Sequence, residues 1–126
     1  MAVVKIDHKK RIRKKTPIPN LRTVIFKSII EFQYLTEGVQ DPLPIVFVLS
    51  KKGKMLNGIN LGYLKEYPIE KLLKESDFKR LLHYNLYEKA FRTYKISEMK
   101  RIKTIEWETS AQRRERKERE RLEKKK

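Results

Sequence analysis

The chain has 126 residues, enough for one domain, with 32 Lys plus Arg against 16 Asp plus Glu and no cysteine. The missing cysteine excludes disulfides and any thiolate zinc site, and it fits a reducing compartment. No run of about 18 apolar residues occurs, which excludes a transmembrane helix, and the charged start never reaches an apolar stretch of signal-peptide length, so a non-secreted protein is expected.

The formal net charge of +16 is unevenly spread. Met1–Thr16 holds seven basic residues and one acid, and Ala111–Lys126 holds nine basic and four acidic ones. A nearly ordinary core therefore lies between two basic arms. A field of this sign draws polyanions, nucleic acid ahead of an anionic membrane or an acidic protein surface.

In chain order, Lys5–Lys15 (KIDHKKRIRKK) is polar and aperiodic. It is expected to be disordered in isolation, with too little apolar surface to offset its ordering entropy. Thr16-Pro17-Ile18-Pro19-Asn20 reads as a stiff extended linker, because each proline fixes its own φ and biases the residue before it. Leu21–Leu35 is β-rich, with Val24, Phe26, Ser28, Ile30, Phe32 and Tyr34 at period two. A strand is expected over Ile29–Leu35, with Thr23–Lys27 as its extension or a separate short element, and Thr36–Pro44 as a loop.

Asp41–Leu64 (DPLPIVFVLSKKGKMLNGINLGYL) carries the longest apolar run, Ile45-Val46-Phe47-Val48-Leu49, preceded by Pro42 and Pro44. Five β-branched and aromatic residues bounded by prolines predict a buried strand. Ser50–Lys54, with Gly53, predicts a reversal, and Met55–Leu61 the returning strand. Gly58 in mid-strand marks a bulge or a close backbone approach.

Tyr67–Leu73 begins a short helix with Pro68 in its first turn. Ser76 caps a second helix whose apolar stripe is Phe78, Leu81, Leu82 and Leu86. Ala90–Ile96 alternates as a strand, Ser97–Arg101 forms one helical turn, and Ile102–Glu108 is the last strand. From Thr109, with Ser110 as cap, the Arg/Glu/Lys sequence is helical only while something holds it. The expected fold is α+β: a small SH3-like, partly open β-barrel of about five strands with a two-helix insertion. It would occupy residues 17–109, between a basic disordered arm at 1–16 and a charged helical or disordered tail at 110–126. Such an analogy concerns fold alone.

Converging titratable groups are sparse. His8 lies in the basic arm and His83 on the second helix, so no His pair has ligand spacing and no transition-metal site is expected. Glu106 and Glu108 flank Trp107 and share a strand face. They could hold Mg²⁺ in a nuclease-like site, but a solvated strand face with Trp107 pointing inward is the preferred reading. Glu98-Met99-Lys100 has a Glu-x-Lys form without the preceding Asp strand a nuclease needs, and no glycine loop cradles phosphate. A non-enzyme without cofactors is expected.

Phosphate binding needs Lys and Arg held along a surface. The N-terminal arm supplies Lys9, Lys10, Arg11, Arg13, Lys14 and Lys15; the tail supplies Arg113, Arg114, Arg116, Lys117, Arg119 and Arg121. On a helix, Arg113, Arg116 and Lys117 share one face while Glu115 pairs with Arg119. The interspersed acids keep a protein-docking helix in play. Tyr63, Tyr84, Tyr87, Phe91-Arg92 and Tyr94 could stack bases, although a core position is expected for Phe91.

Pro44–Leu49, followed by Leu56-Asn57-Gly58-Ile59-Asn60-Leu61-Gly62-Tyr63-Leu64, resembles a pattern in small proteins of large tailed bacteriophages. There, an Asp-Pro-x-Pro strand precedes a Gly-hydrophobic-Asn-hydrophobic-x-Tyr-Leu strand. Phe91-Arg92-Thr93-Tyr94, ahead of a closing strand, resembles the same proteins. The resemblance covers about Phe32–Trp107 and omits the arms. It implies a virion-associated or DNA-associated role, in the host cytoplasm or the virion, and supplies no catalytic motif. The function expected is non-catalytic nucleic-acid binding, DNA more than RNA, through the arms. The alternatives are a structural assembly protein of a capsid, neck or tail, and a ribosomal-protein-like RNA binder.

Overall fold

The computed structural model describes residues 5–35, 42–74 and 89–124. Six strands run β1 (Ile12–Pro17), β2 (Ile29–Tyr34), β3 (Ile45–Lys52), β4 (Met55–Asn60), β5 (Phe91–Lys95) and β6 (Met99–Trp107). They form one antiparallel sheet in the order β1-β6-β2-β3-β4-β5. Helix α1 (Glu66–Lys74) follows β4, and helix α2 (Ser110–Glu123) follows β6. Short 3-10 turns cover Lys9–Arg11, Leu61–Tyr63 and Ile96–Glu98.

The β3–β4 hairpin is the centre. It reverses at Gly53, whose φ of 60° is the left-handed conformation glycine adopts without penalty. Val46, Phe47, Val48 and Leu49 are all buried because β3 has a core on each face. That is why the run is apolar without alternation. On one face, Phe47, Leu49, Ile59 and Trp107 pack with Ile69 and Leu72 of α1. On the other, Val46, Val48, Phe32 and Leu56 pack with Leu21 and Val24 from the segment before β2. Gly58 lies opposite Val48, and an added Cβ would collide with Val46 Cγ1 and stand 2.9 Å from the Phe47 carbonyl oxygen. The close approach expected there is present, and the bulge sits on the opposing strand between Val48 and Ser50.

The sheet curls. Adjacent strands lie about 4.8 Å apart, and three steps of the sheet separate β2 from β5. Even so, the Tyr94 ring centroid is 5.0 Å from that of Phe32 and 5.2 Å from that of Tyr34. The Lys95 backbone N–H also donates to Tyr34 Oη at 3.0 Å.

Several expectations change. The sheet has six strands rather than about five, because the arm supplies β1. Ile12–Pro17 pairs along β6, from Ile12 opposite Trp107 to Pro17 opposite Lys103. The composition of Lys5–Lys15 predicts disorder in isolation, but β6 offers backbone partners that an isolated segment lacks. Thr23–Lys27 forms no strand; the chain turns there with Lys27 at φ 77°, which ends the period-two pattern. Phe26 therefore packs with the α1-side core while Val24 packs with the other. Phe91 is 40% exposed rather than core, because β5 is an edge strand. The last strand begins at Met99, and Arg101 takes φ 52° where β6 bulges against β2. The expected Ser76 helix, with His83, Tyr84 and Tyr87, lies outside the described residues, as does most of the Thr36–Pro44 loop.

Candidate nucleic-acid interface

The thirteen cations expected to meet nucleic acid, Arg92 and the twelve of the arms, divide sharply. The first group holds the fold together. Arg11, 5% exposed, donates from Nε and Nη2 to the Glu66 carboxylate at 3.4 and 3.2 Å. The hydrogen bond from Arg11, and then its charge, holds the Glu66 carboxyl below its ordinary pKa. Arg13 stands out of register at a bulge in β1 and sits 3.8 Å from Glu106 and 4.0 Å from Glu108. Lys15 Nζ reaches buried Glu31 at 2.8 Å. Arg116 clamps Glu108 and also meets Glu120 at 3.2 Å, and Arg121 meets Glu118 at 2.9 Å. Arg92 donates to the carbonyls of Lys89 and Phe91 and lies 5.0 Å over the Tyr63 ring. A group held by an internal carboxylate is a poor phosphate ligand, because binding would strand the acid.

Among the described residues, the second group keeps its side chains free of ion pairs: Lys9, Lys10, Lys14, Arg113, Arg114, Lys117 and Arg119. Lys9, Lys10 and Arg113 are brought together although they come from opposite ends of the chain. With Asp7, His8, Arg11 and Glu66 they line an open cavity of 450 Å³. The arm is fixed there by buried His8, whose Nε2 lies 3.1 and 2.9 Å from the carbonyl oxygens of Leu61 and Leu64. Both neighbours are acceptors, so Nε2 carries the proton and donates. The His8 ring also tilts against Trp107 at 5.5 Å. The tail is fixed by the Thr109 capping box with Gln112 and by Ser110, which donates from N and Oγ to Glu70 at 2.9 Å.

Trp107 points inward, as expected, yet Glu106 and Glu108 do not form a solvated pair. Glu106 is exposed while Glu108 is buried beneath Arg116 and Arg13. The hydrogen bond from Arg116, and then its charge, holds Glu108 below its ordinary pKa. Two carboxylates that both face arginines are built for ion pairing. Among the described residues no cluster of three or more His, Cys, Asp or Glu could hold a metal ion. Tyr63 and Tyr94 are buried, so neither offers a stacking face.

Sequence reasoning missed a further set of cations at the end of the central hairpin. Lys52 pairs across to Met55, and Met55 pairs across to Lys95, so both lysines sit in one row over three neighbouring strands. Their Cα atoms are therefore about 10 Å apart. Lys54 occupies the turn itself, and its carbonyl accepts from the Ile96 N–H at 3.0 Å. Lys52, Lys54 and Lys95 are exposed and make no ion pair among the described residues. The signal was present: Lys51-Lys52-Gly53-Lys54 puts three lysines around one glycine. Lys51 alone turns inward, donating to the Leu21 carbonyl at 2.5 Å.

No protein-family model matches this chain, and no curated protein or solved structure is significantly similar to it. Among the described residues no helix is long and apolar enough to cross a membrane.

Proposed function

We propose that this protein is a non-catalytic nucleic-acid-binding protein that contacts phosphates through surface lysines, with DNA the preferred polymer. The observation that carries the reading is the lysine row at the hairpin end. Lys52 and Lys95 are held in register by backbone pairing on either side of Met55, with Lys54 between them in the turn. Rigid, exposed, unpaired cations release counterions on meeting a phosphate chain, with no internal ion pair to break first. Lys9, Lys10 and Arg113 add a second cationic point, and Lys14 a third. The cations of the arms that pair with internal acids are assigned a structural role instead.

The curl that brings Tyr94 onto Phe32 and Tyr34, with a single 3-10 turn before β6, supports reading the sheet as a partly open, SH3-like barrel. The resemblance to small proteins of large tailed bacteriophages makes a virion or the host cytoplasm the proposed setting. A second reading, a virion assembly protein that docks through its tail, is favoured by one feature. Helix α2 buries none of its own residues and presents ordered Arg–Glu pairs with Leu122 53% exposed.

The test is a mobility shift over a salt series with duplex DNA, RNA and an acidic protein as control. Binding to DNA that weakens steeply with salt supports the reading. Binding to the acidic protein alone would transfer the function to assembly.

A further inference from the structure

Glu31 is a carboxylate on the α1 side of the sheet, with its side chain 6% exposed. It pairs across to Ile45, two residues along from the Ile29–Phe47 pair of the core, so its side chain continues that face. Lys15 crosses the intervening strand β6 to reach it, Nζ to Oε2 at 2.8 Å. A carboxylate has room for about four hydrogen bonds, and Glu31 accepts this one alone among the described residues. Its Oε1 has no partner, yet it is not sealed off. Among the described residues Arg11 Nη1 is the one side-chain polar atom both buried and unpartnered. The space beside Glu31 is a second cavity, of 350 Å³, which Glu31 and Lys15 line together. Its other walls are largely apolar, with Ile12, Ile45, Leu61 and Trp107 among them and the half-exposed Leu43 on the rim. The arm bounds one side, held by the Ile6 N–H on the Gly62 carbonyl at 2.7 Å and by Lys5 Nζ on the Leu43 carbonyl at 3.1 Å. An apolar cavity with a few convergent polar groups is the general form of a small-ligand site.

We propose that this cavity seats one nucleobase out of its stack, cytosine or adenine in preference to thymine or guanine. Lys15 already neutralises Glu31, so an ionic ligand would bury an unbalanced charge and a neutral one would not. The pair leaves over one acceptor, Glu31 Oε1, beside a donor, since Lys15 Nζ has two further N–H groups. A neutral ring that carries a donor next to an acceptor meets both without breaking the pair. Cytosine, with its N4 amino group next to ring N3, and adenine, with N6 next to N1, present that order. Thymine has no amino group, and the two adjacent donors of guanine call for both carboxylate oxygens, one of which Lys15 holds. These edges are open to a protein pocket only when the nucleotide is unstacked and unpaired. The cavity lies at the opposite end of β3 from the lysine row, for Ile45 is the first residue of that strand and Lys52 the last. The base seat rests on the nucleic-acid reading, but the two fail separately.

The experiment uses the full chain, whose single tryptophan, Trp107, lines the cavity and reports on it. Its fluorescence is titrated with oligo(dC), oligo(dA) and oligo(dT) of equal length, hence equal phosphate number, and with free cytidine and thymidine. A mobility shift on the same oligonucleotides records binding as a whole. Oligo(dC) and oligo(dA) should change the emission saturably at concentrations about tenfold below those of oligo(dT), the effect of about 1.4 kcal/mol. Cytidine should compete for that change and thymidine should not. Glu31→Gln replaces the carboxylate with an amide and should erase the preference for oligo(dC) over oligo(dT). Ile45→Phe, which leaves the Lys15–Glu31 pair in place and fills the cavity from its wall, should abolish the emission change and keep the mobility shift. Equal responses to oligo(dC) and oligo(dT), or a response unchanged in both variants, overturns the base seat. A mobility shift with no emission change from any probe removes the seat alone. An emission change with cytidine and no mobility shift would instead remove the broader function and leave the seat standing.

Discussion

Arg116 reaches back eight residues to clamp Glu108 with two donors, Nε to Oε2 at 3.1 Å and Nη2 to Oε1 at 3.3 Å. Glu108 is itself tied to the arm, since its N–H donates to the Arg11 carbonyl at 2.6 Å. One residue thus joins the end of the sheet, the arm and the tail helix. Helix α2 has no buried residues, so its docking depends on this clamp and on the Glu70 contacts to Ser110. Glu108→Gln and Arg116→Lys should both lower helical content over residues 110–123, because neither preserves the charged fork. Glu106→Gln should leave it unchanged. Amide exchange across α2 checks this, and equal protection in all three variants would reject the clamp.

The same pairs fix the acid limb of stability. Arg11 depresses the pKa of Glu66 and Arg116 that of Glu108, both below the ordinary 4.5. A depressed carboxylate pKa contributes stability above the unfolded value, and that contribution is lost as pH falls through the folded one. Melting temperature should therefore lose nothing from these pairs between pH 7 and pH 5, and should decline below 4.5. Glu108→Gln should flatten that decline. An acid limb unaltered by the substitution would show that Glu108 carries no such linkage.

Core packing gives a sharper expectation. Phe47 is 0% exposed and meets Phe26 edge-on at 6.0 Å. Phe47→Ala should destabilise by about 3–5 kcal/mol in denaturant unfolding, a large fraction of a small domain's stability. Gly58→Ala acts by the opposite error, overpacking, at about 1–3 kcal/mol. A neutral result at both positions would contradict the hairpin as the centre of the fold.

Removing Met1–Lys15 tests the role of the arm. It deletes His8 from beside Trp107, the Arg11–Glu66 pair and most of β1. The melting temperature should fall clearly. A fully retained melting temperature would return the arm to the status of a flexible appendage.

The hairpin was legible in the sequence because its signals are local: a short β-branched run, bounding prolines and a turn glycine. Trp107 was legible for a similar reason, flanked by two acids on the opposite face. The strand β1 was not. Ile12–Pro17 carries one aliphatic side chain followed by cations, and all but Ile12 are exposed. That is the usual look of an edge strand kept from aggregating by charge, and also of a disordered arm. What decides between them is β6, some ninety residues onward. Separation along the chain also hid the site. Lys15, Arg11 and Arg13 read as free cations because Glu31, Glu66, Glu106 and Glu108, which engage them, come from other strands, a helix and the residue just after β6. Lys52, Lys54 and Lys95 read as turn and strand polarity because only the β3–β4–β5 register aligns them.

The most direct measurement is the salt dependence of DNA affinity for the wild type and for Lys52→Gln/Lys54→Gln/Lys95→Gln. Each lost phosphate contact removes about 0.9 from the log–log slope on duplex DNA. The triple variant should therefore bind more weakly, with a slope shallower by about 2–3, and melt like the wild type. Identical slopes for the two proteins, or no salt-dependent binding by the wild type, would contradict the account.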